Sequence, residues 1–222
     1  MRELGTFPGV ESTMKTLITL VFALSLPLSM PLSAPAADQS PEDMVRQITT
    51  DVLDAIKQDE ALQHGDKQKA LALAEQKVLP HLDFVEMTRL AAGRTWNTAT
   101  PEQRDRLVAA FRAMLVRTYA NAIDVYRGQT MKALPLRSHP GATDVTVRNQ
   151  FLRSGQPAVP VEYAMKKMPG GWMIYDITVD GVSLVLTYRS QFEEAARNAG
   201  VEGLISQLQS KTRVEPALRS SK

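Results

Sequence analysis

The chain has 222 residues, 44% of them hydrophobic, and a formal charge of +2 from 26 basic and 24 acidic residues. That composition supplies a sizeable core and argues against a disordered chain. Acids and bases are intermixed without a basic block, which argues against a nucleic-acid binder, and the absence of cysteine excludes both a disulfide framework and thiol chemistry.

At the N-terminus, Met14-Lys15 precedes an almost wholly apolar run from Leu17 to Leu28, and Ala34-Pro35-Ala36 follows with small residues where a signal peptidase reads. Residues 1–36 are therefore expected to be a secretory signal peptide, with residues 1–13 as a mis-assigned upstream extension if Met14 is the natural start. The apolar run is too short to span a hydrocarbon core about 30 Å thick. Its removal takes away Arg2, Lys15, Glu3 and Glu11 and leaves the balance at +2.

Helices come first in the mature chain. Ser40-Pro41-Glu42-Asp43 starts one, and Met44, Val45, Ile48, Val52, Leu53 and Ile56 repeat at helical spacing to about Lys57. A second helix is expected from Asp66 to Val78, stopped by Pro80, and a third from Phe84 to Ala92 between Asp83 and Gly93. The longest begins at Thr100-Pro101-Glu102-Gln103. Its stripe of Leu107, Phe111, Met114, Leu115, Tyr119, Ala122, Ile123 and Tyr126 runs on until Gly128.

The period then falls to two. Four strands are expected over 131–136, 144–152, 159–167 and 172–179, separated by Pro140-Gly141, Ser154-Gly155 and Pro169-Gly170-Gly171, so that neighbours run antiparallel. Asp180-Gly181 supplies a tight turn, and Ser183 caps a helix from Leu184 to Ala199, ended by Gly200. A last helix covers 202–210, and residues 214–222 read as a flexible tail beyond a single domain of 37–213. The order implies an α+β fold in which helices pack over one face of a curved antiparallel sheet of about four strands. Met87, Met114, Met131, Met165 and Met173 fall on apolar faces, where an unbranched side chain suits an adaptable interior, although periodicity by itself favours a filled core over a cavity.

Catalytic chemistry is sparse. His64, His81 and His139 stand alone at spacings that build no metal site, and neither a nucleophile with an adjacent base nor a glycine-rich phosphate loop is present. Asp176 and Asp180 flank the last strand and are the candidates for a base in a curved-sheet pocket, with turn and solvent roles as the commoner use of such residues. Lys132, Arg148, Arg153, Lys166 and Lys167 form either a basic edge for acidic partners or anionic head groups, or a solvated sheet edge.

Two segments carry a family likeness. Asp83 through Trp96, with Asp83-Phe84 at its start and Gly93 before Trp96, leads into Thr100-Pro101-Glu102-Gln103 and the spaced Phe111, Leu115, Tyr119 and Tyr126. The second is Trp172 through Phe192, with Thr187 where many relatives are expected to carry Asn. Together they resemble the MlaC family of periplasmic phospholipid-binding proteins, also known as toluene-tolerance auxiliary components. The resemblance implies a periplasmic carrier, not an enzyme, with no cofactor beyond its cargo. It would hold the acyl chains of a glycerophospholipid in an apolar pocket. It would exchange them with an inner-membrane ABC transporter bearing an MCE-domain protein and with an outer-membrane lipoprotein complex, so maintaining outer-membrane lipid asymmetry.

On that reading the expected lining is Phe84, Met87, Leu90, Phe111, Leu115, Tyr119, Tyr126, Val147, Tyr163, Met165, Trp172, Ile174, Ile177, Val179, Leu184 and Tyr188, with core packing as the alternative for each. Tyr163 and Tyr188 are placed near the mouth, where a ring is dry and its hydroxyl wet. Arg189 is expected to pair with Asp180 or Asp176 in preference to a lipid phosphate. A periplasmic chaperone or lipoprotein carrier, and a small curved-sheet enzyme, remain the alternatives.

Overall fold

A computed structural model describes residues 39–119, 130–139 and 141–212. The signal-peptide reading of 1–36, the tail at 214–222, and the expectations for Tyr126 and for the end of the long helix lie outside the described residues.

Helix α1 (Pro41–Gln58) opens on the expected cap, with the Asp43 N–H donating to Ser40 Oγ at 3.1 Å. The short α2 (Glu60–Gln63) is not visible in the periodicity, because its four residues are held by local capping: Asp59 accepts from the N–H groups of Ala61 and Leu62. Next come α3 (Lys67–Lys77), a single 3₁₀ turn at Leu79–His81, α4 (Phe84–Ala92) and the five-residue α5 (Arg94–Thr98). Helix α6 (Pro101–Tyr119) starts with a complete capping box. Gln103 N–H donates to Thr100 Oγ1 at 3.2 Å, and Thr100 N–H donates to Gln103 Oε1 at 3.0 Å.

Strands β1 (Thr130–Ala133), β2 (Asp144–Leu152), β3 (Val159–Met168), β4 (Gly171–Val179) and β5 (Val182–Ser183) form an antiparallel meander in sequence order. The fifth strand is an addition to the four read from the pattern, and two residues are too few to show a period. Val179 pairs with Val182 across Asp180-Gly181, whose φ values of 50° and 79° are the paired left-handed conformations of a tight hairpin turn. Strand β1 stops earlier than expected. Leu134 N–H still bonds Arg148 O at 2.9 Å, and Pro135 then has no N–H to continue the ladder.

Between β3 and β4 the register slips by one residue: Ala164 faces Asp176 while Met165 faces Ile174, leaving Tyr175 as a bulge. A bulge bends its strand, and it also switches which parity of β4 points inward. Ile174 and Ile177, three residues apart, thereby both reach the concave side, where the Tyr175 hydroxyl cannot follow; it donates instead to Asp144 Oδ1 at 2.8 Å.

Helix α7 (Leu184–Thr212) joins the two expected C-terminal helices in one run, broken at Gly200, where φ 66° and ψ −169° leave the helical region. Three apolar clusters organise the interior. One links α4, α6 and α7 around Phe111, whose ring meets those of Tyr188 and Phe192 edge-on at 5.3 and 5.0 Å. A second packs Met44 and Val45 of α1 on Val145, Val147, Met165 and Ile174 of the sheet, and a third joins α1, α2 and α3 through Ile56, Leu62, Ala70 and Leu73. Among the described residues no helix is long and apolar enough to cross a membrane.

Candidate functional site: an apolar cavity between helices and sheet

The three clusters do not close on one another. A cavity of about 280 Å³ remains between them, at the lower end of the roughly 300–1,000 Å³ common for small-molecule sites. Helix α1 contributes Val45, Ile48, Thr49, Val52 and Leu53; Ala74, Val78, Leu79 and Leu82 come from α3 and the turn that follows it. Phe84 and Met87 of α4, Leu115, Val116 and Tyr119 of α6, and Leu184 of α7 form the other helical wall. The sheet supplies Phe151, Tyr163, Ile174, Ile177 and Val179.

Exposure gives the cavity a direction. Met87 is 1% exposed, Val45 2% and Ile174 3%, whereas Tyr119 is 43% and Val179 42% exposed. The deep end therefore lies at Met87, Val45 and Ile174, and the open end at Tyr119 and Val179. The walls make few polar demands. Thr49 donates its hydroxyl to Val45 O at 2.8 Å within its own helix, so it presents its methyl group to the space.

Two local devices hold the wall in place. The Asp83 N–H donates to Ile174 O at 2.8 Å, and Asp83 Oδ1 accepts from Glu86 N–H at 2.9 Å, so the residue that caps α4 also ties it to β4. At the β4–α7 corner the Asp176 carboxylate accepts from Ile177 N–H at 2.8 Å, Ser183 Oγ at 2.5 Å and Val185 N–H at 3.0 Å. Ser183 Oγ in turn caps α7 through Leu186 N–H at 3.0 Å. Asp176 is thus committed to the hydrogen bonds of the corner that fixes Ile177 against Leu184, a cap in place of the candidate base. Among the described residues no group of three His, Asp or Glu side chains is disposed to hold a metal ion.

Of the sixteen residues expected to line a pocket, Phe84, Met87, Leu115, Tyr119, Tyr163, Ile174, Ile177, Val179 and Leu184 border this cavity. Leu90, Phe111 and Tyr188 belong instead to the α4–α6–α7 cluster, and Val147, Met165 and Trp172 to the one between α1 and the sheet. Tyr188 is 8% exposed, and burial together with the hydrogen bond its hydroxyl donates to the Tyr119 side chain pushes its pKa up to about 12. Its link to the cavity runs through Tyr119. Arg189 pairs with Glu193, four residues on, at 3.3 Å, and with neither Asp176 nor Asp180. Arg148 of the basic edge stands opposite Glu162 in the register, where the pair balances charge. The contributions of α1 and α3 were absent from the expected lining. Their apolar stripe was plain, but a stripe does not say which other face it meets.

Comparison with known proteins places the fold. The profile of the family described as MlaC protein matches residues 46–210. The chain belongs to the MlaC family. Among curated relatives it is 27% identical over 166 residues to the toluene tolerance protein ttg2D of Pseudomonas putida, covering 74% of this chain and 76% of that one. Among solved structures it is similar to the phospholipid-binding protein of Ralstonia solanacearum, determined in complex with a phospholipid. That likeness has a TM-score of 0.72 and 38% identity, and spans 79% of this chain and 97% of the other. The α+β architecture seen here, with an open sheet under helices, is the fold shared with that structure.

Proposed function

We propose that this protein is a periplasmic phospholipid carrier that holds acyl chains in the cavity between α1, α4, α6 and the sheet. The observation that carries the reading is the cavity itself: its walls are apolar, its floor at Met87, Val45 and Ile174 is buried, and one end is open. The phospholipid complex of the Ralstonia relative supports the choice of cargo. The nine bordering residues from the expected set, joined by Val45, Ile48, Val52, Leu53 and Phe151, are the contacts to the tails.

Size sets what the site does. A space of about 280 Å³ takes roughly nine groups the size of a water or a methylene, the inner part of one tail. At about 0.8 kcal/mol per methylene, that burial is worth about 7 kcal/mol against water, a micromolar-scale interaction before ordering costs. Two full tails require the walls to separate and add correspondingly more. Against a bilayer, where tails are already dry, the net difference is small. Such a carrier lowers the barrier of the aqueous crossing without trapping its cargo. Exchange with an inner-membrane ABC transporter bearing an MCE-domain protein and with an outer-membrane lipoprotein complex completes the proposed role, following residues 1–36 as an export signal and leaving 37–213 as the lipid-binding domain.

Organic extraction of the purified protein followed by mass spectrometry tests the reading. Phospholipid at a stoichiometric ratio is expected. Its absence, both as purified and after incubation with phospholipid vesicles, overturns it.

A further inference from the structure

A second cavity, of about 510 Å³, opens between α5 and α7 and shares no lining residue with the apolar one. Its chemistry is different. Arg189, Glu193 and Arg197 recur at every fourth position of α7, so they stand on one face, and Arg94 approaches from α5 with the hydroxyl-bearing Thr95 and Thr98. Three guanidinium groups thus meet one carboxylate. Glu193 takes the Nε of Arg189 at 3.3 Å, which leaves the outer nitrogens of that guanidinium uncommitted to it. Among the described residues Arg94 and Arg197 have no carboxylate partner.

Gly93 shapes the cleft. It ends α4 with φ +54°, a conformation side-chain-bearing residues rarely adopt. A Cβ there would lie 3.5 Å from Glu193 Oε1 and 3.6 Å from Arg189 Nε and Nη2, so the guanidinium lies in contact distance of the bare α4–α5 junction.

We propose that this cleft binds a phosphate group. Three guanidiniums beside one carboxylate carry a surplus of two positive charges, and like charges so placed destabilise one another until an anion joins them. A carboxylate ligand has two oxygens and satisfies one guanidinium fork. A tetrahedral phosphate presents more oxygens in different directions and bridges several forks at once, which suits guanidinium groups that two helices contribute to one cleft. The volume leaves room for the organic group that carries the phosphate. The site is separate from the acyl cavity and does not depend on the cargo reading.

The test titrates the full-length mature protein with inorganic phosphate and with glycerol 3-phosphate at low ionic strength, followed by NMR of the Arg Nε–H and Thr95 amide signals. Saturable shifts are expected. They should weaken at least tenfold in an Arg94→Gln/Arg197→Gln double variant and stay within twofold in a Lys67→Gln/Arg137→Gln double variant, an equal charge loss at exposed positions outside the cleft. The single variants stand in, each with a smaller loss, if the double variant melts early. Co-sedimentation with phosphatidylcholine vesicles, with and without phosphatidylglycerol, separates the sources of phosphate. Loss of anionic-vesicle binding in the double variant assigns the site to lipid headgroups, and unchanged vesicle binding assigns it to a soluble phosphate ester. Absence of saturable shifts, or equal weakening by Lys67→Gln/Arg137→Gln, overturns the proposal. Phospholipid recovered by extraction from the double variant is expected to match wild type, so failure here is distinct from failure of the cargo reading.

Discussion

Filling the cavity from within separates a cargo site from a packing defect. Ala74 borders the space and is its smallest lining side chain, and Ala74→Phe adds a ring. An engineered cavity of about 150 Å³ is enough for benzene, so the ring fits in about 280 Å³ without overpacking and takes roughly half of it. Burial of the ring gives about 2–3 kcal/mol, from which a lower helix propensity and an ordered side chain subtract about 1. The lipid-free variant should therefore gain about 1–2 kcal/mol, seen as a Tm roughly 3–6 °C higher for a domain of this size. The same ring excludes about four methylenes of a tail, about 3 kcal/mol, so phospholipid affinity should fall on the order of a hundredfold. Differential scanning calorimetry of delipidated protein and equilibrium partitioning of a fluorescent phospholipid read the two effects. A higher Tm with unchanged lipid binding would refute the placement of the tails here, and a lower Tm would refute the cavity as open space.

Other expectations follow from the same contacts. Asp176→Asn weakens three hydrogen bonds at the β4–α7 corner and should cost about 2 kcal/mol in urea unfolding, with faster lipid release because Ile177 and Leu184 lose their brace; unchanged release would show that the corner does not gate the cavity. Phe111→Ala should cost about 3–5 kcal/mol, as expected of a fully buried ring with two edge-on aromatic partners, yet leave lipid stoichiometry intact in the protein that remains folded, since Phe111 does not border the cavity. Burial holds the His81 pKa below its usual 6.5, so between that lowered value and 6.5 the unfolded chain binds a proton that the folded chain does not. Stability should decline as pH falls from 6.5 through the lowered value, and His81→Gln should flatten that part of the pH profile; a profile identical to wild type counts against the assignment.

Much of the architecture was readable before any coordinates. Caps at Ser40, Asp83, Thr100 and Ser183 mark helix starts because each has an oxygen that satisfies a first-turn N–H, and all four do so in the structure. The bulge at Tyr175 also leaves a trace in sequence: the large apolar residues of β4 stand at 172 and 174, then at 177 and 179, a change of parity that a regular strand does not make. The two-residue β5 and the short helices α2 and α5 were not legible, because a period needs more repeats than they contain. The site was legible by face and not by partner. Phe111 and Tyr188 lie on the same apolar stripes as Leu115 and Leu184, but the aromatic pair meets across α6 and α7 and fills its own space, while the smaller pair borders the gap. Which apolar faces touch and which stand apart depends on helix tilt and sheet bending, and a linear pattern carries neither.

The central claim is that fatty tails enter at Tyr119 and Val179 and end at Met87. A phospholipid with a nitroxide at the end of one acyl chain, loaded into protein labelled at the methionine methyl groups, tests it directly. Broadening of the Met87 methyl signal, with the exposed Met168 left sharp, is the expected result. A sharp Met87 signal at full loading would contradict it.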